Sequence, residues 1–81
     1  MITRMGRNEV EFEFEDEHRI VVGGEHFVPE PNQFLFVLWR ASVEKWKPPF
    51  EQEAITPEMQ ERILQAVKAA LEKKGWIVEI E

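Results

Sequence analysis

Cysteine is missing from this 81-residue chain, tyrosine is missing too, and serine occurs once, at position 42. Without cysteine there is no disulfide framework, no thiolate zinc site and no thiol nucleophile. The lack of covalent staples fits the cytoplasm, the compartment expected. Long apolar runs are also lacking: the longest, Phe34 to Trp39, has six residues. The opening Met1-Ile2-Thr3-Arg4 carries no apolar stretch behind it, so neither a membrane span nor a signal peptide is expected. Positive charge is scarce, with 10 Lys and Arg against 16 Asp and Glu and a net charge of −6. That balance disfavours nucleic acid as a partner and favours a basic protein surface, although the same charge also keeps small domains soluble.

What is present suffices for one domain over residues 1–81. A chain this short buries roughly two-thirds of its unfolded surface, so its core must be dense and its strand edges managed. The hydrophobic fraction of 43% includes six Phe and three Trp, which is ordinary for a globular fold and too high for disorder.

Charge is concentrated in one place. From Glu9 to Glu17 the chain reads EVEFEFEDE, six acids in nine residues without a single cation. Strict alternation of acid and apolar residues specifies a strand with Val10, Phe12 and Phe14 on one face and Glu9, Glu11, Glu13 and Glu15 on the other. Crowding like charges on one strand face costs stability unless cations or a partner offset it. The stripe is therefore a candidate partner-binding surface, extended by Asp16. Its plainer explanation is a solvated outer face that guards an edge against aggregation.

The remaining elements can be placed around it. Ile2 to Met5 is a weak strand candidate ended by Gly6. His18 to Val22 is a β-branched run stopping at Gly23-Gly24, a pair suited to a two-residue hairpin loop, with Glu25 to Val28 as the returning strand. Gln33 to Trp39 is apolar on both alternating faces, so it asks for cover on both, from a helix on one side and from the 40–56 segment or a second protomer on the other. Pro48-Pro49 breaks any regular element, leaving Ser42 to Trp46 as a short turn or edge segment ahead of an extended loop. Thr56 as N-cap, Pro57 at the first helical position, Glu58 and Glu61 near the start, Lys73 and Lys74 at the end and Gly75 as stop define a helix over about 57–74. Met59, Ile63, Val67, Ala70 and Leu71 give it one apolar stripe. Trp76 to Glu81 reads as a last strand returning to the same sheet. The fold class is α+β: a mostly antiparallel meander, one amphipathic C-terminal helix packed on it, and a final strand.

Residues for catalysis are few. A Ser42/His18 or Ser42/His26 couple lacks the glycines of a nucleophile elbow, and the glutamates are too alike to separate their pKa values, so no catalytic residue and no enzyme is expected. His18 and His26 flank the Gly23-Gly24 pair and would face each other across a hairpin, but no metal-ligand spacing accompanies them, and no metal or cofactor is expected. Their modest role is as pH-sensitive partners of nearby acids. Trp46-Lys47-Pro48-Pro49-Phe50 is the other singular segment. Either its rings tuck into the core, or Trp46 and Phe50 are aromatic anchors for a partner on a stiffened loop.

Ala41-Ser42-Val43-Glu44-Lys45-Trp46-Lys47-Pro48-Pro49, the acidic stretch Glu51 to Glu53, Ile55-Thr56, the helical Ile63 to Leu71 and Gly75-Trp76-Ile77-Val78-Glu79 together resemble the immunity protein 74 family of bacterial polymorphic-toxin systems. The resemblance implies a small cytoplasmic α+β protein that binds and neutralises a cognate toxin domain. It carries over no catalytic residue and marks Trp46 and Pro49 as signature positions. The expectation is a small acidic protein-binding module, with Glu9, Glu11, Glu13, Glu15, Asp16, Trp46 and Phe50 facing the toxin. The competing expectation is a self-associating structural domain, a homodimer paired through Phe34 to Trp39 or the last strand.

Overall fold

The computed structural model describes all residues, 1–81. Alternation in the acidic segment forms strand β2, Glu9–Glu13, which is flanked by β1, Ile2–Met5, and by β3, Arg19–Phe27. Strand β4, Leu35–Leu38, a 3-10 turn at Arg40–Ser42, helix α1, Pro57–Lys73, and strand β5, Ile77–Ile80, complete the chain. The five strands lie in sequence order in one sheet. All neighbours are antiparallel except β4 and β5, which run parallel because α1 crosses between them.

The helix begins as its sequence dictates: the Thr56 side chain accepts a hydrogen bond from the Met59 N–H at 3.1 Å, and Pro57 fills the first position. At its end the Trp76 N–H donates to the Leu71 carbonyl and the Gly75 N–H to that of Glu72, with Gly75 at φ 95°. This is a Schellman stop, and its left-handed residue favours glycine. Ile63, Leu64, Val67 and Leu71 are the helix residues buried against the sheet; Leu64 widens the expected stripe. On the sheet side the core takes Val10, Phe12, Ile20, Val22, Phe36, Leu38 and Val78, joined by Val43 and Trp46 from the connecting segment. The acid/apolar alternation thus sorts Val10 and Phe12 inward as expected.

Two expectations are corrected. Gly23-Gly24 is not a hairpin loop, and Glu25 to Val28 is not a returning strand: both belong to the nine-residue β3. The first half of β3 pairs with β2, Arg19 to Gly23 against Glu13 to Glu9, and the second half pairs with β4, Gly24 to Phe27 against Leu38 to Leu35. Glycine is required at the changeover by proximity: a Cβ on Gly24 would stand 2.1 Å from the Val37 carbonyl oxygen. The second correction concerns His18 and His26. They lie on the same side of one extended chain, about 26 Å apart at roughly 3.3 Å per residue, and do not face each other.

The staggered pairing stretches the domain to 42 × 21 × 19 Å. It also decides what is covered. Helix α1 lies across the inner face, touching β5 and β1. The segment after β4 covers only the middle of the outer face, where the Trp39 and Ser42 side chains lie against Gly23. It runs beside the first half of β3, with the Trp39 N–H on the Gly23 carbonyl and the Lys47 N–H on that of Arg19. Helix α1 therefore covers only one face of the doubly apolar β4, although Val37 on the other face is also buried and Leu35 half-buried. No helix is long and apolar enough to cross a membrane.

Candidate functional site

Register places the outer face residue by residue. Glu9, Glu11 and Glu13 of β2 stand beside Gly23, Val21 and Arg19 of β3, and Arg4 of β1 stands beside Glu11. Further along, Glu25 and Phe27 of β3 stand beside Val37 and Leu35 of β4, which stand beside Glu79 and Ile77 of β5. The face away from the helix thus runs from an acidic end to an apolar end.

At the acidic end the charges are not bare. Arg4 pairs with Glu9 at 2.7 Å, and Lys47 Nζ pairs with Glu11 Oε1 at 2.6 Å. The Thr3 hydroxyl donates to Glu11 Oε2 at 2.8 Å. Those bonds, Lys47 first and Thr3 second, hold the Glu11 carboxyl below its ordinary pKa. Glu13 stands beside Arg19 without an ion pair, and Glu15 projects into solvent unpaired. Pro49 and Phe50 border a small cleft with Glu13, Glu17 and Arg19.

Around the end of β2 sits an aromatic cluster. The His18 ring stacks on Phe50 with centroids 3.7 Å apart and meets Trp46 edge-on at 4.8 Å, while Phe14 meets Trp46 at 5.9 Å. His18 Nε2 is 3.0 Å from Glu53 Oε1, and Nδ1 is 3.1 Å from Asp16 Oδ1 without the alignment of a hydrogen bond. The Glu53 bond, opposed by partial desolvation and aided by the Asp16 charge, raises the His18 pKa above 6.5. Asp16 also accepts the His18 backbone N–H at 3.1 Å. This side of the domain encloses a cleft of about 340 Å³ lined by Phe14, Asp16, His18, Trp46, Glu53 and Met59 among others.

The seven candidate residues therefore fall into three settings. Glu9, Glu11 and Glu13 are on the outer face, running from the middle of the sheet at Glu9 to its end at Glu13, and Glu15 and Asp16 are on the turn adjoining that end. Phe50 is half-buried against His18 beside them. Trp46 is only 6% exposed, its ring closed into the core, so the tucked arrangement and not the exposed anchor describes it. Ser42 is structural: its hydroxyl accepts the Gly23 N–H at 2.8 Å and donates to the Trp39 carbonyl at 2.6 Å. His26 bonds the Arg7 carbonyl at 3.0 Å and packs near Phe36 and Trp76, far from Ser42's partners. Ser42, His18 and His26 are thus not gathered into one site. No group of three His, Asp or Glu is arranged to hold a metal. What sequence reading missed is the far end of the face: Phe27, Trp39 and Ile77 are 44%, 40% and 53% exposed. The doubly apolar run of β4 was the available signal.

The fold is a small α+β domain, one helix behind a five-stranded sheet. The chain belongs to the immunity protein 74 family, whose model matches residues 2–81. No curated protein and no solved structure matches it.

Proposed function

We propose that this chain binds a bacterial toxin domain one-to-one and blocks it, so that the cell making the toxin survives. Inhibition of this kind asks no catalytic group of the chain. The observation that carries the reading is the convergence at one end of the domain of two segments some 35 residues apart, the acidic strand and the Pro48-Pro49 loop, joined by Lys47 on Glu11. Glu13, Glu15 and Asp16 there offer carboxylates to a basic groove, and Phe50 offers the aromatic contact in place of the enclosed Trp46. Charge of this sort speeds association more than it tightens the final complex.

The test uses a cognate toxin domain, inactivated by mutation and immobilised for kinetic measurement. Replacing Glu13→Lys together with Glu15→Lys is expected to slow association about tenfold at low salt and to flatten its salt dependence. Neither residue makes an ion pair, so the fold should be unaffected. Association at the wild-type rate across the salt series would remove the acidic strand from the interface.

A further inference from the structure

The far half of the outer face has a composition unlike the near half. Phe27, Leu35 and Ile77 form one row across three strands, and the next row is Glu25, Val37 and Glu79. Trp39 lies one row further on, level with Gly23 and with its ring 3.4 Å from where a Cβ there would be, so the Glu25–Val37–Glu79 row separates it from Phe27 and Ile77. Val37 is buried even though no helix covers it, closed over by its neighbours. Phe27, Trp39 and Ile77 remain largely open, which is unusual in a domain whose core is otherwise well filled.

The charges around this patch point one way. Glu25 and Glu79 flank it and make no ion pair. Arg7 borders a shallow cleft with Glu25 and Phe27 but pairs with neither carboxylate, and Arg40, near the end of β5, is engaged by Glu61 on the helix. At the near end, by contrast, Arg4 and Lys47 each already satisfy a glutamate. Apart from Glu13, the free negative charge on the sheet face therefore sits beside the exposed apolar side chains.

A second copy fits this patch poorly. A two-fold contact centred on the far half brings the two copies' Glu25 and Glu79 carboxylates into one small patch, and like charges crowded together oppose association. Sliding one copy so that far half meets near half sets Phe27 and Ile77 against paired charges, leaving those ion pairs desolvated without compensation. The occupant that fits both features is a protein surface with apolar side chains at its centre and lysine or arginine at its rim.

We propose that Phe27 and Ile77, on either side of Leu35 and bordered by the Glu25 and Glu79 row, form the apolar anchor of the toxin interface, with Trp39 beyond those glutamates, so that the toxin lies along the whole outer face. This rests on the toxin-binding reading and adds where the slow-release contact is made. Apolar anchors set dissociation, and flanking charge sets encounter.

The same inactivated toxin domain tests it with two further variants. Phe27→Ser with Ile77→Ser is expected to speed dissociation at least tenfold with little change in association rate. Glu25→Lys with Glu79→Lys is expected to slow association and flatten its salt dependence. Both pairs are exposed, and circular dichroism with a thermal melt checks that the fold is kept. Wild-type kinetics in both variants, with the Glu13/Glu15 variant impaired, overturn this proposal and leave toxin binding standing. No binding by the unaltered chain defeats the toxin reading and this inference with it. Light scattering over a dilution series is the remaining arm: a monomer is expected, and a dimer that persists at nanomolar concentration and is lost in Phe27→Ser/Ile77→Ser overturns the proposal in favour of a second copy.

Discussion

Gly24 shows how a single residue can be necessary for reasons its own conformation does not reveal. Its φ is not in the left-handed region, which among the glycines is occupied by Gly75 alone. Its missing Cβ is what lets the β4 backbone pass. A glycine pair reads equally well as a turn or as a close approach, and nothing local separates the two, which is why the hairpin expected at Gly23-Gly24 gave way to a continuous strand. Gly24→Ala should destabilise the domain by about 3 kcal/mol, the upper part of the range for overpacking, read as a shift in urea midpoint. Gly23→Ala, which presses only on the Ser42 and Trp39 side chains at 3.2 and 3.4 Å, should cost less.

His18 gives a residue-scale prediction of a different kind. Its pKa is raised in the folded chain, chiefly by the Glu53 carboxylate. Stability from these contacts is fully present below the unfolded value of about 6.5 and is lost as pH rises through the higher folded value. The urea midpoint of the wild type should therefore fall as pH is raised from about 6 to 8, and the His18→Gln variant should lack that component. A wild-type midpoint flat over this range would refute the assignment.

At the scale of elements, legibility followed the range of the determining interactions. The helix carries its own boundaries in Thr56, Pro57 and Gly75, each acting within one turn, and the structure places it at Pro57–Lys73. Removing the cap with Thr56→Ala should cost about 1 kcal/mol, measured by thermal or urea unfolding, with the fold otherwise intact. The facing of β2 was likewise legible from period-two alternation. The state of its charges was not: Lys47 is 36 residues from the Glu11 it neutralises, and only the placement of the connecting segment along β3 brings them together. For the same reason the burial of Trp46 was undetermined between core and interface. Its ring is enclosed by Phe14 and His18, which are remote in sequence.

For the whole molecule, the α+β class follows from short strand connections and one helical crossover, which the sequence expresses, whereas the order β1-β2-β3-β4-β5, and the place of the last strand beside β4, emerges only in the structure. The exposed end of the sheet depends on a global fact, that the one helix of 17 residues covers one face, while on the other face the segment after β4 reaches only Gly23 and Glu11. Sequence pattern alone showed that β4 wanted cover on two sides. It did not show which side would go without.

The continuous β3 strand also works as a ruler. Arg19 at the charged end and Phe27 at the apolar end belong to one extended chain eight residues apart, a separation of about 26 Å set by backbone rise. Two contact regions fixed at one spacing bind cooperatively only to a surface that repeats it, because the second contact then forms at high effective concentration. On the proposed binding mode, a basic protein that matches either end but not the interval between them gains little, so selectivity among toxins would reside in a length instead of in any single side chain.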